Sequence, residues 1–168
     1  MATLELEKGI LTGTSSKWVL DPAHSELLFK VKHLMISNVK GEFRNFHASI
    51  LSETGDITKG KVITKIEAAS IFTNNEQRDG HLKSADFFDV ENYKDITFES
   101  TAIEKNDEES FNLTGALTMK GISKEITLNV EFGGTAMDPF GNKKAGFTFS
   151  GQINRKDWGL NYNAVLET

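Results

Sequence analysis

Alternation with a period of two runs through most of this chain, and it points to antiparallel β-sheet with one dry face. In residues 25–33 the apolar positions are Leu27, Phe29 and Val31, with Glu26, Lys30 and Lys32 facing away. Val62, Thr64, Ile66, Ala68, Ser70 and Phe72 form the drier set of another run. The pattern continues through Ile96, Phe98 and Ala102, then Phe111, Leu113, Leu117 and Met119. Ile126, Leu128, Val130 and Phe132 make the next dry face, Phe147, Phe149 and Ile153 another, and Leu160, Tyr162 and Ala164 the last. Between Val39 and Ile50 the phase flips, from Val39 and Phe43 to Phe46, Ala48 and Ile50. One inserted residue produces such a flip, which predicts a bulge near Arg44 and Asn45.

The connections suit hairpins: a polar, Gly-containing stretch at 52–59, a charged tip at 106–109, and a tight Lys120-Gly121 turn. One segment breaks the period. Asn74 and Asn75 are candidate N-caps, Gln77 follows three residues after Asn74, and Leu82, Ala85 and Phe88 recur at helical spacing. The expected fold is therefore all-β, an antiparallel sandwich or barrel of eight or so strands, with a short helical insert around 75–88. With 168 residues and no repeat or linker, the chain reads as one domain.

Phe occurs 12 times against two Tyr and two Trp, and Phe has no polar handle. These rings can be core, or the lining of an apolar cavity; an eight-stranded barrel has room for one small ligand, and this many inward rings favours that use. Lys and Arg total 19 against 24 Asp and Glu, a net charge of −5, which argues against a nucleic-acid partner or a polybasic membrane patch. With no cysteine there is no disulfide, thiolate metal site or Cys nucleophile. No apolar run is long enough for a spanning helix, and the acids at Glu5 and Glu7 interrupt any secretory leader, so a cytoplasmic location is expected.

His24, His33, His47 and His81 show no metal-ligand spacing. His33 is in phase with Leu27, Phe29 and Val31, either as a hydrogen-bonded barrel-end histidine or as a contact for a ligand head. Asp21, His24 and Ser25 supply the letters of a triad, but Ser25 opens a strand instead of sitting on a nucleophile elbow, and capping suits these residues better. Arg78-Asp-Gly-His81 reads as a local ion-pair and capping network, or as a polar lid in which Arg78 meets an anionic headgroup.

Taken in order, Trp18-Val-Leu-Asp-Pro-Ala-His-Ser25, Val31-Lys-His33, Val39-Lys-Gly41-Glu-Phe43, Ser70-Ile-Phe-Thr73, Arg78-Asp-Gly-His-Leu82, Ser84-Ala-Asp-Phe-Phe-Asp89, Ile96-Thr-Phe98, Gly115-Ala-Leu-Thr118 with Gly121, and Asn154-Arg-Lys-Asp-Trp-Gly-Leu160 resemble the YceI-like family, the lipocalin-like polyisoprenoid-binding proteins of bacteria. Lys94 and Trp158 depart from it, standing where Pro and Phe are common. The resemblance implies an extended eight-stranded antiparallel barrel, lipocalin-like, over 18–168 after a 1–17 N-terminal extension, with an elongated apolar tunnel for an amphiphile such as a polyprenyl chain or prenylated quinone, and a homodimer. No cofactor and no metal are expected.

The expected function is binding, storage or transport of a long-chain lipid or isoprenoid; the alternative is an enzyme acting on such an amphiphile at the tunnel mouth. The expected ligand-contacting residues are Phe29, Val31, His33, Phe43, Ile66, Phe72, Arg78, His81, Phe87, Phe88, Phe98, Phe111, Leu113, Leu117, Met119, Leu128, Val130, Phe147, Phe149 and Trp158. YceI-like chains usually carry one more alternating strand after a segment like 163–168. The expected remedies for an open seam are a further tail, then the N-terminal segment, where Leu4, Leu6 and Ile10 alternate, then a partner chain.

Overall fold

The structure, a computed structural model, describes residues 2–13, 17–33, 37–52 and 56–161. Its strands are β1 (Ala2–Gly13), β2 (Lys17–Leu20), β3 (Leu28–His33), β4 (Ser37–Phe43), β5 (Phe46–Leu51), β6 (Lys61–Glu67), β7 (Ile71–Phe72), β8 (Asp95–Lys105), β9 (Ser110–Met119), β10 (Ile122–Met137) and β11 (Lys143–Ile153), with one α-helix, α1 (Glu76–Lys83). Neighbouring strands pair antiparallel. Among the described residues, the pairings run from β1 through β2, β5, β6, β8, β9, β10 and β11 and return to β1, an eight-strand circuit. β3, β4 and β7 form a wing that joins the circuit through β1.

The closing strand is N-terminal. One edge of β1 follows β11 from Ala2 opposite Ile153 to Thr12 opposite Lys144. Its other edge meets β3 near Leu4 and β2 near Thr12. The segment before residue 17 thus supplies a strand of the barrel wall. Residues 162–168, including Tyr162 and Ala164, lie outside the described residues.

Alternation sets these strands. Along β9, Phe111, Leu113, Gly115, Leu117 and Met119 are buried, with a half-buried residue between each pair. The predicted phase flip is present: Phe43 and Phe46 are both buried across exposed Arg44 and Asn45, so β4 faces the β3–β7 wing while β5 runs between β2 and β6. Two further resets escape the periodicity. A 3-10 turn at Ala68–Ser70 buries Ile71 and moves Phe72 to the outside, where the Arg44 guanidinium sits 3.5 Å from its ring centroid. Phe72 is therefore not inward. In β8 the register shifts between Ser100 and Ala102, so the buried alternation of Ile96, Phe98 and Ser100 ends there and Ala102 is exposed. The buried Ser100 hydroxyl accepts from the Val62 N–H at 2.8 Å, so the bulge does not orphan that donor.

The helical insert is capped as predicted by Asn75, whose side chain accepts from the Arg78 N–H at 2.9 Å. Leu82 and Phe87 are buried beneath it. Trp158, on a 3-10 turn at Arg155–Trp158, packs into the same region, with its indole N–H donating to the Leu117 carbonyl at 2.9 Å. Tyr93 lies against Gly121, which has φ +74°, so insert, Trp158 and the β9–β10 turn close one end of the barrel.

Candidate functional site

Between the β2–β5–β6–β8 wall and the β9–β10–β11 wall lies an apolar cavity of about 100 Å³. Its lining is Leu20, Leu27, Phe46, Ala48, Ile50, Val62, Thr64, Ile66, Phe98, Leu113, Leu117, Ile126, Leu128 and Phe149. Thr64 is the lone hydroxyl in this set and no charged side chain enters it. From Val62 to Ile66 the lining follows β6 for about 13 Å at roughly 3.3 Å per residue. A space this dry holds no ordered water with the two to four polar partners that water needs.

Of the residues singled out from the sequence, Ile66, Phe98, Leu113, Leu117, Leu128 and Phe149 are brought together around the cavity. Many of the remaining aromatic rings pack on one another. Phe43 sits 5.5 Å from Phe29 and 5.9 Å from Phe88, centroid to centroid. Phe147 lies 5.2 Å from Phe132 and 6.1 Å from Phe149. Val31, Phe111, Met119 and Val130 are core, and Phe87 and Trp158 belong to the end plug. Eight of the fourteen lining residues are not among those candidates: Leu20, Leu27, Phe46, Ala48, Ile50, Val62, Thr64 and Ile126, most of them from β2, β5 and β6. The alternation of Phe46, Ala48 and Ile50 carried that signal, since it marks the inward set once the phase flip is applied.

The polar candidates are engaged with the fold. Arg78 Nε donates to Thr73 Oγ1 and its Nη2 to the Thr73 carbonyl, both at 2.8 Å. Buried Asp79 accepts from the Thr73 N–H at 2.9 Å and from the Thr73 hydroxyl at 2.5 Å. His81 Nε2 lies 2.8 Å from Asp86 Oδ2. His33 ends β3, and its side chain lies outside the described part of the structure. The Asp21–His24–Ser25 group is a cap: Asp21 accepts from the Ala23 N–H, His24 Nδ1 sits 3.0 Å from Asp21 Oδ2, and the Ser25 hydroxyl donates to the Asp21 carbonyl. Among the described residues, no group of three His, Asp or Glu is arranged to hold a metal ion.

An antiparallel barrel closed around an apolar cavity, with its polar groups turned to structural work, defines the lipocalin-like class. Within that class the chain belongs to the YceI-like domain family, which matches residues 18–168. It is 41% identical over 154 residues to a UPF0312 protein of Staphylococcus aureus, covering 91% of this chain and 87% of the relative. A UPF0312 protein of Staphylococcus epidermidis is 42% identical over the same length and coverage. Among solved structures, the YceI protein of Campylobacter jejuni matches with a TM-score of 0.68 and 42% identity, over 77% of this chain and 76% of that one.

Proposed function

We propose that this protein binds the apolar chain of a long-chain amphiphile, a lipid or isoprenoid, inside the barrel and carries or stores it. The observation that carries the reading is the uncharged wall of the cavity between the two halves of the barrel. Thr73 and Asp86 already engage Arg78 and His81, which supports a carrier over a catalyst working at the insert.

Magnitudes shape the reading further. A cavity about 13 Å long matches the length of roughly ten methylenes, which would be worth about 8 kcal/mol gross at ~0.8 kcal/mol each were all of them buried. Lost translational and rotational freedom offsets at least about 4 kcal/mol of that, and a remainder near 4 kcal/mol corresponds to only millimolar affinity. At about 100 Å³ the cavity is also below the usual 300–1,000 Å³ of ligand pockets. Tight retention therefore requires the cavity to lengthen, and Phe149, which lines it while touching the Phe147 ring, is the side chain positioned to swing aside.

Titration with linear alcohols from hexanol to dodecanol, read by displacement of an apolar fluorescent dye, tests this. Affinity should rise roughly fourfold per added carbon at about 0.8 kcal/mol each. Affinity independent of chain length overturns the reading.

A further inference from the structure

A second recess, about 450 Å³ and bordered by polar side chains, opens on the β9–β10–β11 wall. Asn112, Thr127, Asn129, Ser150 and Gln152 rim it over a floor of Leu128 and Gly151. It forms where β10 and β11 separate. The last rung between them is Asn129–Ser150; beyond it β11 stays with β1, Gln152 opposite Thr3, while β10 stays with β9, Thr127 opposite Thr114. Gly151 makes room for the floor: a Cβ there would stand 2.5 Å from Leu128 Cδ2 and turn the tip of the leucine aside. Leu128 also lines the apolar cavity, so a single side chain belongs to both walls.

We propose that this seam is the headgroup site and entry of the bound amphiphile, and that it selects an uncharged, hydrogen-bonding head such as a hydroxyl, carbonyl or amide. The inference rests on the amphiphile-binding reading above. Every side chain of the rim is uncharged, and Glu125 and Glu131 flank it on the exposed face of β10, which disfavours a phosphate or carboxylate. Asn112 already accepts from Asn106 at 3.0 Å, and the Thr127 and Thr114 hydroxyls pair at 3.1 Å. Among the described residues, the Asn129, Ser150 and Gln152 side chains are not held by a hydrogen bond or ion pair. Arg78, whose guanidinium would suit an anionic head, directs its Nε and Nη2 to Thr73 in the insert instead.

The test uses the full chain with dodecan-1-ol and dodecyl phosphate, two amphiphiles of equal chain length, in dye-displacement titrations. Wild type should bind the alcohol more tightly. Asn129→Ala combined with Gln152→Ala, both exposed positions, should weaken the alcohol roughly tenfold, the scale of two neutral hydrogen bonds. Gln152→Lys should strengthen the phosphate. Tighter binding of the phosphate by wild type, or alcohol affinity unchanged in the double variant, overturns the seam site and leaves the cavity reading standing. Failure of wild type to bind either amphiphile overturns both.

Discussion

Lys144 reaches across the closing strand to Asp21: its Nζ lies 3.0 Å from Oδ2, between residues 123 apart in sequence. Lys144 is opposite Thr12 of β1, and Thr12 is opposite Val19 of β2, so the ion pair straddles β1 and ties β11 to the turn after β2. Both side chains are largely covered, at 25% and 14% exposure.

This pair makes acid stability predictable. Asp21 is held below its ordinary 3.8, first by the hydrogen bond from Lys144, against desolvation, with His24 adding a further bond. A depressed carboxyl binds its proton less readily in the folded chain than in the unfolded one, so its contribution is complete above the unfolded value and fades as pH falls through the folded one. Lys144→Met should cost about 1 kcal/mol at pH 7, and the gap to wild type should close as pH falls from the ordinary carboxyl value through the lower folded one. Urea midpoints across that range check it; a gap constant with pH contradicts it.

Removing residues 2–13 should strip both barrel edges of their partner, exposing the unpaired backbone of β11 and of the β2–β3 side. The expected outcome is a lower unfolding midpoint and heat-induced light scattering at a temperature where the full chain stays clear. An unchanged midpoint would contradict the closing role of β1.

Asp79→Ala should destabilise by about 2–4 kcal/mol, because it leaves the buried Thr73 N–H and hydroxyl without their acceptor. Arg78→Ala should cost less stability and leave the affinity for dodecyl phosphate within about twofold. A large loss of phosphate binding in Arg78→Ala would instead make that side chain a headgroup contact.

The wall of the barrel was legible in the sequence wherever the period of two is unbroken, as along β9 and β10, and where a known device breaks it, as at Arg44 and Asn45. The insert was legible because Asn75 caps it locally. What escaped depended on tertiary pairing. Nothing in the local pattern says that Ala68–Ser70 turns as a 3-10 helix and sends Phe72 outward, or that the Ser100 bulge re-phases β8. Inward phase also does not separate packed rings from cavity lining: Phe29, Phe43 and Phe88 satisfy one another, whereas Phe98 and Phe149 face open space. Arg78 read equally well as a capping partner or a headgroup contact, and only the position of Thr73 decides it.

Phe149→Ala should enlarge the cavity and so separate stability from binding. Truncating a half-buried ring at a cavity wall should cost about 2–4 kcal/mol in stability. Dodecanol should bind more tightly to this variant than to wild type, because the space is lengthened toward Phe147. Weaker binding would mean that Phe149 holds the ligand by contact and does not restrict it.

The most direct test is equilibrium dialysis of the purified protein against rising concentrations of dodecanol, with the excess alcohol on the protein side extracted, quantified by mass spectrometry and extrapolated to saturation, beside Ala48→Phe. Ala48 lines the cavity, and a phenyl ring there fills it. One equivalent of alcohol per wild-type chain, with little recovered from a folded Ala48→Phe variant, is the expected result. An empty wild-type protein, or equal recovery from both, would contradict amphiphile binding in the barrel.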